Sequence, residues 1–190
     1  ISTSSSPFAF EPFAALGIAG EAVVQLRQLE LQCFRNYERA ELEFPSGLIW
    51  IAGPNASGKS NLLEAIHLVC NGGSHRTPRD RELITWGCER YRVRGRLVVE
   101  GVRHEVTVAY DPAAGKGVQL DGTPLARRSD LLRVAGVVIF TPDDLQLVKG
   151  SPSYRRQFLD YEIAQVSPAY RDHLGRYNRI LKQRNSLLKA

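Results

Sequence analysis

The stretch IAGPNASGKSNLLEAI, residues 51–66, decides the fold class of this chain. Within it, Gly53, Gly58, Lys59 and Ser60 occupy every fixed position of the pattern GxxxxGK[ST]. An apolar run precedes the pattern and a segment with helical spacing of apolar residues follows it, which is the context that the pattern requires. The sequence therefore predicts a strand, a phosphate-binding loop and a helix in succession.

The predicted loop has the chemistry of an anion site. Its glycines let backbone amides point inward without a Cβ in the way, and the positive end of the helix dipole adds to the attraction. Lys59 supplies a mobile positive charge for the β and γ phosphates of a nucleoside triphosphate, and the Ser60 hydroxyl can bind the Mg²⁺ that bridges them. An ordinary glycine-rich turn is the alternative. The predicted nucleotide ligands are Gly53, Pro54, Asn55, Ala56, Ser57, Gly58, Lys59 and Ser60.

The composition is that of a globular chain with a moderate basic excess. Of the 190 residues, 43% are hydrophobic, and 25 Lys and Arg against 20 Asp and Glu give a formal net charge of +5. This charge suits a polyanionic partner without requiring one. Cys33, Cys70 and Cys88 are widely spaced and form no CxxC pair. We therefore expect neither a disulfide nor a zinc site, and a reducing, cytoplasmic compartment.

Residues 1–22 precede the first predicted strand. They carry no basic segment, and Glu11 and Pro12 interrupt their short apolar run, so the sequence argues against a signal peptide. No run is long enough to span a membrane. We expect a poorly ordered extension over residues 1–22, a globular lobe with the P-loop over residues 23–150 and a helical segment over residues 151–190.

Alternation of apolar and polar residues predicts two strands before the loop, in VVQLRQLELQ and in AELEF, and a third in LIWIAG. The helix after the loop is expected to end at Asn71-Gly72-Gly73. Its expected buried face consists of Leu62, Leu63, Ile66 and Val69.

The second half of the chain predicts strands first and helices later. The pattern between Tyr91 and Leu120 is typical of antiparallel strands that end at a turn, Asp121-Gly122. The continuous apolar run VAGVVIF predicts a buried strand. Beyond it we expect two helices with an interruption at Ser167-Pro168.

A P-loop protein that hydrolyses its nucleotide also needs an acidic residue at the end of a neighbouring buried strand. Glu100 ends the run LVVE, but three arginines upstream indicate a half-exposed strand. Asp143 and Asp144 follow VVIF late and behind a proline, so a helix N-cap role competes with a metal role. No catalytic acid is identified, and we expect the chain alone to bind its nucleotide without efficient hydrolysis.

Arginine is concentrated in one predicted strand and in the loop before it. At alternate positions the strand's arginines share one face, where they could contact phosphates together with those of the loop. A solvated face with local ion pairs is the alternative, and the spacing does not separate the two. The DNA-binding candidates are Arg76, Arg79, Arg81, Arg92, Arg94 and Arg96.

Four segments together resemble the N-terminal part of the RecF family of recombination mediators. They are LELQCFRNYERAELEFPSGLIWIAGPNASGKSNLLEAI, SHRTPRDRELITWG, FTPDDLQLVKGSPSYRRQFLD and LKQRNSLL. The resemblance implies the α/β fold of a P-loop ATPase head of the ABC and SMC type. In this fold an N-terminal lobe with mixed sheet and antiparallel strands leads into a helical arm.

The resemblance also implies a function in DNA repair, replication and the SOS response. A RecF-like protein binds ATP and Mg²⁺, forms a homodimer, and binds DNA at gaps and single-stranded junctions. There it acts with RecR and RecO, assists the loading of RecA, and is expected to be a weak DNA-dependent ATPase at full length. By the same resemblance Arg35 and Asn36 approach the nucleotide, and Arg76, Arg79 and Arg81 face DNA.

The resemblance has two departures. Thr141-Pro142-Asp143-Asp144 stands where related heads carry a glutamine loop, yet it contains no glutamine. The family's signature motif and acidic strand lie in its C-terminal half, and neither is found in this sequence. Three alternatives stay open: another ATPase of the SMC or ABC type, a P-loop kinase, and a nucleic-acid-binding module with an uncoupled P-loop.

Overall fold

The structure, a computed structural model, describes residues 10–12, 24–127, 130–131, 134–135, 137–142 and 146–188. The chain divides into two compact units, Ile1–Val137 and Val138–Ala190. The P-loop lies in the first unit, and the long helices lie in the second. The domain limits expected from the sequence, at residues 22 and 150, stay predictions.

Eight strands and four α-helices are described. The strands are β1 Phe10–Pro12, β2 Val24–Phe34, β3 Tyr37–Glu43, β4 Ile49–Ile51, β5 Tyr91–Val99, β6 Val102–Asp111, β7 Gly115–Leu120 and β8 Thr123–Pro124. The helices are α1 Lys59–Asn71, α2 Gln146–Lys149, α3 Pro152–Val166 and α4 Pro168–Leu187, and a 3₁₀ helix covers Asp80–Leu83.

A six-stranded sheet in the order β3-β2-β5-β6-β7-β8 dominates the first unit. Within the described residues all strand pairs are antiparallel. Sheet neighbours follow one another along the chain except β2 and β5, which pair although residues 35–90 separate them. The P-loop and α1 lie in this long connection. The predicted strands before the loop and between residues 91 and 120 are confirmed.

Side chains alternate between the two faces of the sheet, and one of these faces packs against α1. On β5, Tyr91, Val93 and Leu97 are buried on that face, as the sequence predicts, and the strand's arginines lie on the other. Gly95 permits the close approach of the helix, since a Cβ there would lie 3.0 Å from Cγ2 of Val69.

Helix α1 has the predicted bounds. It follows Gly58 and ends at Gly72, whose φ of 66° is the left-handed conformation that glycine adopts without strain. Its predicted buried face is wrong in part. Leu63 is 45% exposed, whereas Glu64 is fully buried. The reason is that the Glu64 carboxylate has hydrogen-bonding partners on the inward side of the helix, so helical spacing of apolar residues alone misplaces the face.

Strand β4 pairs with β1 rather than with the large sheet. The register joins Phe10 to Ile51 and Pro12 to Ile49 in an antiparallel pair. The sequence pattern gives no indication of β1, because its three residues are too few for periodicity to be visible.

The predicted buried strand in VAGVVIF is wrong for the residues described. Residues 137–140 form no strand, and Val138 and Phe140 are 84% and 77% exposed. A continuous apolar run is typical of a strand covered on both faces in a parallel sheet. Within the described residues there is no parallel neighbour for it.

The second unit is a run of three helices. Helices α3 and α4 meet at Ser167, where the sequence predicts the interruption. The Ser167 hydroxyl accepts the backbone N–H of Tyr170 at 3.2 Å, which satisfies an amide of the first turn of α4. The Tyr170 hydroxyl donates to Asp160 at 2.6 Å and so links the two helices. In the described part of the chain, no helix is both long enough and apolar enough to cross a membrane.

Candidate nucleotide-binding site

The loop between β4 and α1 has the backbone conformation that an anion cradle requires. Ala56 and Gly58 have φ of 63° and 107°, and such left-handed residues turn successive amides to one side. A Cβ on Gly58 would lie 2.6 to 2.8 Å from side-chain atoms of Asn36 and Tyr37. The sequence requirement for glycine at this position is therefore steric as well as conformational.

The side chain of Lys59 folds back over the start of this loop. Its Nζ donates to the carbonyl oxygens of Gly53 at 2.8 Å and Pro54 at 2.6 Å. Ser60 is exposed on the first turn of α1, which contains no acidic residue. The positive end of the helix dipole is thus free of a competing carboxylate from its own first turn. The exposed Ser60 hydroxyl fits a Mg²⁺ ion held mainly by phosphate oxygens.

The loop is held by hydrogen bonds from the turn between β2 and β3 and from Tyr37, the first residue of β3. Asn36 Nδ2 donates to the Ser57 carbonyl at 3.3 Å, and the Tyr37 hydroxyl donates to the Gly58 carbonyl at 3.1 Å. Burial raises the pKa of Tyr37 to about 12, so the phenol keeps its proton for this bond. Asn36 also accepts from Asn61 Nδ2 at 2.8 Å. The structure therefore brings the predicted residue Asn36 against the P-loop.

A buried carboxylate that sequence reasoning missed organises the rest of the site. Glu64 of α1 accepts a bidentate pair of bonds from Arg35, with Nε and Nη2 at 2.9 and 2.8 Å. Ser74 Oγ donates to it at 2.5 Å, and Arg76 Nη1 lies 3.3 Å from its second oxygen. The one signal in the sequence was an acidic residue on the inward side of α1.

These partners decide the charge of Glu64. Burial would raise the pKa of this carboxyl, but the bonds from Arg35 and Ser74 and the charges of Arg35 and Arg76 hold its pKa below the usual value. Glu64 is therefore an anion that fixes two arginines beside the loop. The guanidinium of the predicted ligand Arg35 contacts Glu64 and donates to the Glu82 carbonyl at 2.9 Å. Arg76 also donates to Asn61 Oδ1 at 2.9 Å.

An open cavity of about 410 Å³ lies beside the loop. Asn36 and Asn61 contribute to its lining, and both also contact the P-loop or its helix. The opposite wall is the segment that follows the 3₁₀ helix. The complete lining is Arg35, Asn36, Asn61, Arg76, Glu82, Ile84, Thr85 and Trp86.

The arginines on the outer face of the sheet form ion pairs. Arg94 and Arg96 each lie within 4 Å of both Glu30 and Glu105, at 3.2 to 3.7 Å. Arg96 also donates to Gln28. Arg92 is exposed on the same face. Of the three strand arginines, Arg94 and Arg96 thus form the local ion pairs that were the alternative to DNA contact. A role of Arg92, Arg94 and Arg96 in DNA binding stays a prediction.

The arginines of the loop are placed differently. Arg76 belongs to the Glu64 network, whereas Arg79 is 80% exposed and pairs with Glu82 at 3.3 Å. Arg81 is exposed on the 3₁₀ helix. A contact of these residues with DNA also stays a prediction.

The candidate acidic residues are not brought to the loop by the described structure. Glu100 lies in the exposed turn between β5 and β6 with φ of 50°. Asp143 and Asp144 lie outside the described residues, and Thr141 and Pro142 belong to the second unit. Within the described residues no group of three or more His, Cys, Asp or Glu could hold a metal ion.

Cys33 and Cys88 form a disulfide, which corrects the expectation that there is none. Cys33 lies near the end of β2 and Cys88 precedes β5. These two strands are paired neighbours, which brings the Cα atoms to 6.1 Å despite a sequence separation of 55. Long-range strand pairing of this kind is invisible to cysteine spacing. Cys70 is buried in α1, and burial raises the pKa of its thiol to about 11.

The loop, its helix and its antiparallel lobe match known proteins over most of the chain. A family model described as an AAA domain matches residues 28–165. The chain belongs to the AAA domain family. The DNA replication and repair protein RecF of Protochlamydia amoebophila (strain UWE25) is 49% identical to this chain over 164 residues, which are 86% of this chain. The chain spans about half the length of the curated relatives it matches, 45% for this one.

Solved structures agree with this placement. The recombination mediator protein RecF-ATP in the RecFOR pathway is similar with a TM-score of 0.82 and 35% identity, over 90% of this chain and 46% of that one. A structure of the SMC ATPases, from work on their ATP-driven dimerization and DNA-stimulated activation, has a TM-score of 0.58 and 24% identity, over 75% of this chain and 99% of that one. The latter shows the fold alone. The predicted resemblance to the N-terminal part of RecF and the predicted P-loop ATPase fold are both confirmed.

Proposed function

We propose that this chain is the nucleotide-binding part of a RecF-like ATPase and that residues 53–60 bind Mg-ATP. The observation that carries the proposal is the position of Lys59, whose ammonium lies 2.8 and 2.6 Å from two carbonyls of its own loop. These bonds place the charge at the mouth of the loop, where incoming β and γ phosphates can exchange with the carbonyls. Ser60 would hold the Mg²⁺ ion, which supplies charge neutralisation between those phosphates.

Arg35 and Asn36 would act at the same site in different ways. Asn36 holds the loop through the Ser57 carbonyl. Arg35 forms an ion pair with Glu64, and its side chain is 20% exposed. Its guanidinium therefore borders the cavity but is already paired. We propose that Arg35 positions the turn that carries Asn36 beside the loop and makes no bidentate contact with the phosphates, because Glu64 offsets its charge.

The wider function follows the relatives. RecF proteins are described as DNA replication and repair proteins, and one is described as a recombination mediator with ATP. We propose that the full-length protein binds ATP, forms a homodimer, and binds gapped or single-stranded DNA in the cytoplasm, with RecR and RecO as partners. ATP hydrolysis would then be slow, DNA-dependent and completed by residues other than those described here.

The first test is Mg-ATP binding to this chain, measured by titration calorimetry. We expect Lys59→Ala to weaken binding at least tenfold, because it removes the charge that contacts the phosphates. Lys182→Ala is the matched control, since it removes a lysine exposed on α4. Equal ATP affinity in wild type and Lys59→Ala would overturn the assignment of the P-loop.

The second test is binding to gapped DNA with and without ATP, on the full-length protein that carries this chain. We expect ATP to tighten DNA binding and to promote dimerisation, and Lys59→Ala to lose both effects. Arg79→Ala with Arg81→Ala should reduce the dependence of DNA binding on salt by about two ion equivalents. Arg103→Ala, which removes an exposed arginine of β6 that is not a DNA-binding candidate, is the control. DNA binding that ignores both ATP and Lys59 would favour the nucleic-acid-binding module instead.

A further inference from the structure

We propose that Trp86 is the platform on which the base of the bound nucleotide stacks, so that the cavity beside the P-loop is the base and ribose subsite. This inference rests on the proposed binding of ATP at residues 53–60. It assigns a role to a residue that neither the P-loop pattern nor the arginine loop accounts for.

The first observation is the exposure of the indole. Trp86 lines the cavity, yet it is 98% exposed. An indole in water leaves a large apolar face uncovered, and an aromatic heterocycle that stacks on it gains both area burial and ring contact. Each base that stacks on an aromatic side chain contributes about 1–3 kcal/mol.

The second observation is that the backbone beneath Trp86 is fixed. The Thr85 N–H donates to the Cys33 carbonyl at 2.9 Å, and Thr85 Oγ1 donates to the Tyr37 carbonyl at 3.1 Å. Ile84 forms an isolated bridge with Phe34. The indole therefore projects from a segment attached to the same turn that supports the P-loop. Because this backbone is already ordered, the entropy that is lost when a ligand stacks on the indole is limited to that of its side-chain torsions.

The third observation is that the cavity adjoins the P-loop through two shared side chains, although none of residues 53–60 lines it. Asn36 lines the cavity and donates to the Ser57 carbonyl within the loop, and Asn61 lines it from the first turn of α1. A ligand with its phosphates on the loop amides would extend along these two side-chain amides toward Trp86. The volume of about 410 Å³ is within the usual range for small-molecule sites, about 300–1,000 Å³.

The fourth observation is the charge of the cavity. Arg35 and Arg76 line it, but both bond the buried carboxylate of Glu64. Glu82 also lines it, and a hydrogen bond from Thr77 with the Arg79 contacts lowers the pKa of that carboxyl, so Glu82 is an anion. Two cations therefore face two anions. Such a cavity suits the neutral base and ribose of a nucleotide better than its phosphates, which belong on the Lys59 side.

The test compares ATP with inorganic triphosphate, which has the phosphates but no base. Both are titrated with Mg²⁺ into wild type and Trp86→Ala by calorimetry. We expect Trp86→Ala to weaken ATP binding by about 5- to 150-fold, the range that corresponds to the loss of one stacked base. Triphosphate binding should change by less than twofold. Trp50→Ala is the matched control, because Trp50 is also exposed but lies on β4, outside the cavity lining.

A spectroscopic arm uses the fact that the chain has two tryptophans. In a Trp50→Phe background the fluorescence belongs to Trp86, and we expect ATP to quench it while triphosphate does not. Trp86→Phe should recover most of the ATP affinity, because a phenyl ring still stacks.

The outcomes separate this inference from the proposed function. If Trp86→Ala leaves ATP affinity unchanged, or weakens ATP and triphosphate equally, the stacking role is overturned while the P-loop assignment stands. If wild type binds neither ligand, or if Lys59→Ala binds both as wild type does, the proposed function itself fails.

Discussion

Gly58 is the residue at which the P-loop and the β2–β3 turn come closest. Its φ of 107° lies outside the range that a side chain tolerates, and a Cβ would meet Asn36 and Tyr37 at less than 3.0 Å. The P-loop pattern requires glycine here for its phosphate-binding conformation. The structure adds that this glycine also lets the loop rest on the turn that holds it.

We expect Gly58→Ala to destabilise the first unit by about 2 kcal/mol or more, because backbone strain and steric overlap add. Urea unfolding followed by circular dichroism measures the change. Gly117→Ala is the matched control, since Gly117 lies in β7 without a positive φ and a Cβ added there would meet no atom within 4 Å. Equal unfolding midpoints for Gly58→Ala and wild type would contradict the close packing of the loop on the turn.

His67 is a buried residue whose protonation opposes folding. Its Nδ1 lies 2.9 Å from the Gly73 carbonyl and its Nε2 lies 3.0 Å from Asn71 Nδ2, which matches a neutral ring that donates from Nδ1 and accepts at Nε2. Burial lowers the pKa of His67 to about 4, although the bond to Gly73 acts in the opposite direction. The unfolded state therefore binds a proton more readily than the folded state does.

This difference gives a pH dependence with a defined sign. Stability is fully present above the unfolded pKa of 6.5 and falls as the pH drops toward 4, by up to about 1.4 kcal/mol per pH unit. Urea unfolding at pH 7, 6 and 5 measures it. We expect His67→Gln to flatten the slope and His173→Gln, at an exposed position of α4, to leave it unchanged. A slope that His67→Gln does not alter would assign the effect to other groups.

At the scale of the element, α1 shows where helical spacing succeeds and where it fails. The apolar periodicity and the Gly72 stop place its ends correctly. The buried face is rotated relative to prediction, because Glu64 and His67 are buried and Leu63 is not. A polar side chain can occupy the buried face of a helix when it has hydrogen-bonding partners inside the protein. A single sequence does not show those partners.

Two adjacent leucines on α1 test this rotation. Leu62 is fully buried in the core, whereas Leu63 is half exposed. We expect Leu62→Ala to cost about 2–5 kcal/mol and Leu63→Ala less than about 1 kcal/mol of unfolding free energy. Each variant is the control of the other, since the chemical change is identical. Similar losses at both positions would restore the face predicted from the sequence.

Among the other elements, local sequence patterns predicted most strands and helices, but they did not predict contacts between distant segments. Alternation placed β2, β3 and β5 to β7, and Ser167-Pro168 placed the break between α3 and α4. The pairing of β1 with β4 and the exposure of Val138 and Phe140 were missed, because each depends on what a segment contacts rather than on its own pattern. The P-loop, in contrast, was predictable because its chemistry lies in eight consecutive residues.

At the scale of the whole molecule, Cys33 and Cys88 close a loop that contains the P-loop, α1 and the 3₁₀ helix. A covalent link across 55 residues restricts the unfolded chain and contributes about 4 kcal/mol to stability in the chain-entropy account, at the upper end of the typical range of about 2–4 kcal/mol. It also joins the β2 end of the site to the segment that carries Trp86.

We expect a thiol reductant to lower the urea midpoint of wild type by an amount that corresponds to about 2–4 kcal/mol. The double variant Cys33→Ser with Cys88→Ser should have this lower midpoint and should not respond to the reductant. It is the control for effects of the reagent on the buried thiol of Cys70. A wild-type midpoint that is the same with and without reductant would contradict a stabilising role for the link.

The pairing of β2 with β5 also has a kinetic consequence. Arg35, Asn36, the P-loop, Arg76 and Trp86 all lie in the connection between these two strands. Contacts between residues so distant in sequence form slowly, because the chain entropy of the whole connection is lost before they are made. We therefore expect the candidate nucleotide site to be completed when β2 pairs with β5. During refolding, the ability to bind ATP should emerge in the same phase as the native sheet, with no earlier intermediate that binds.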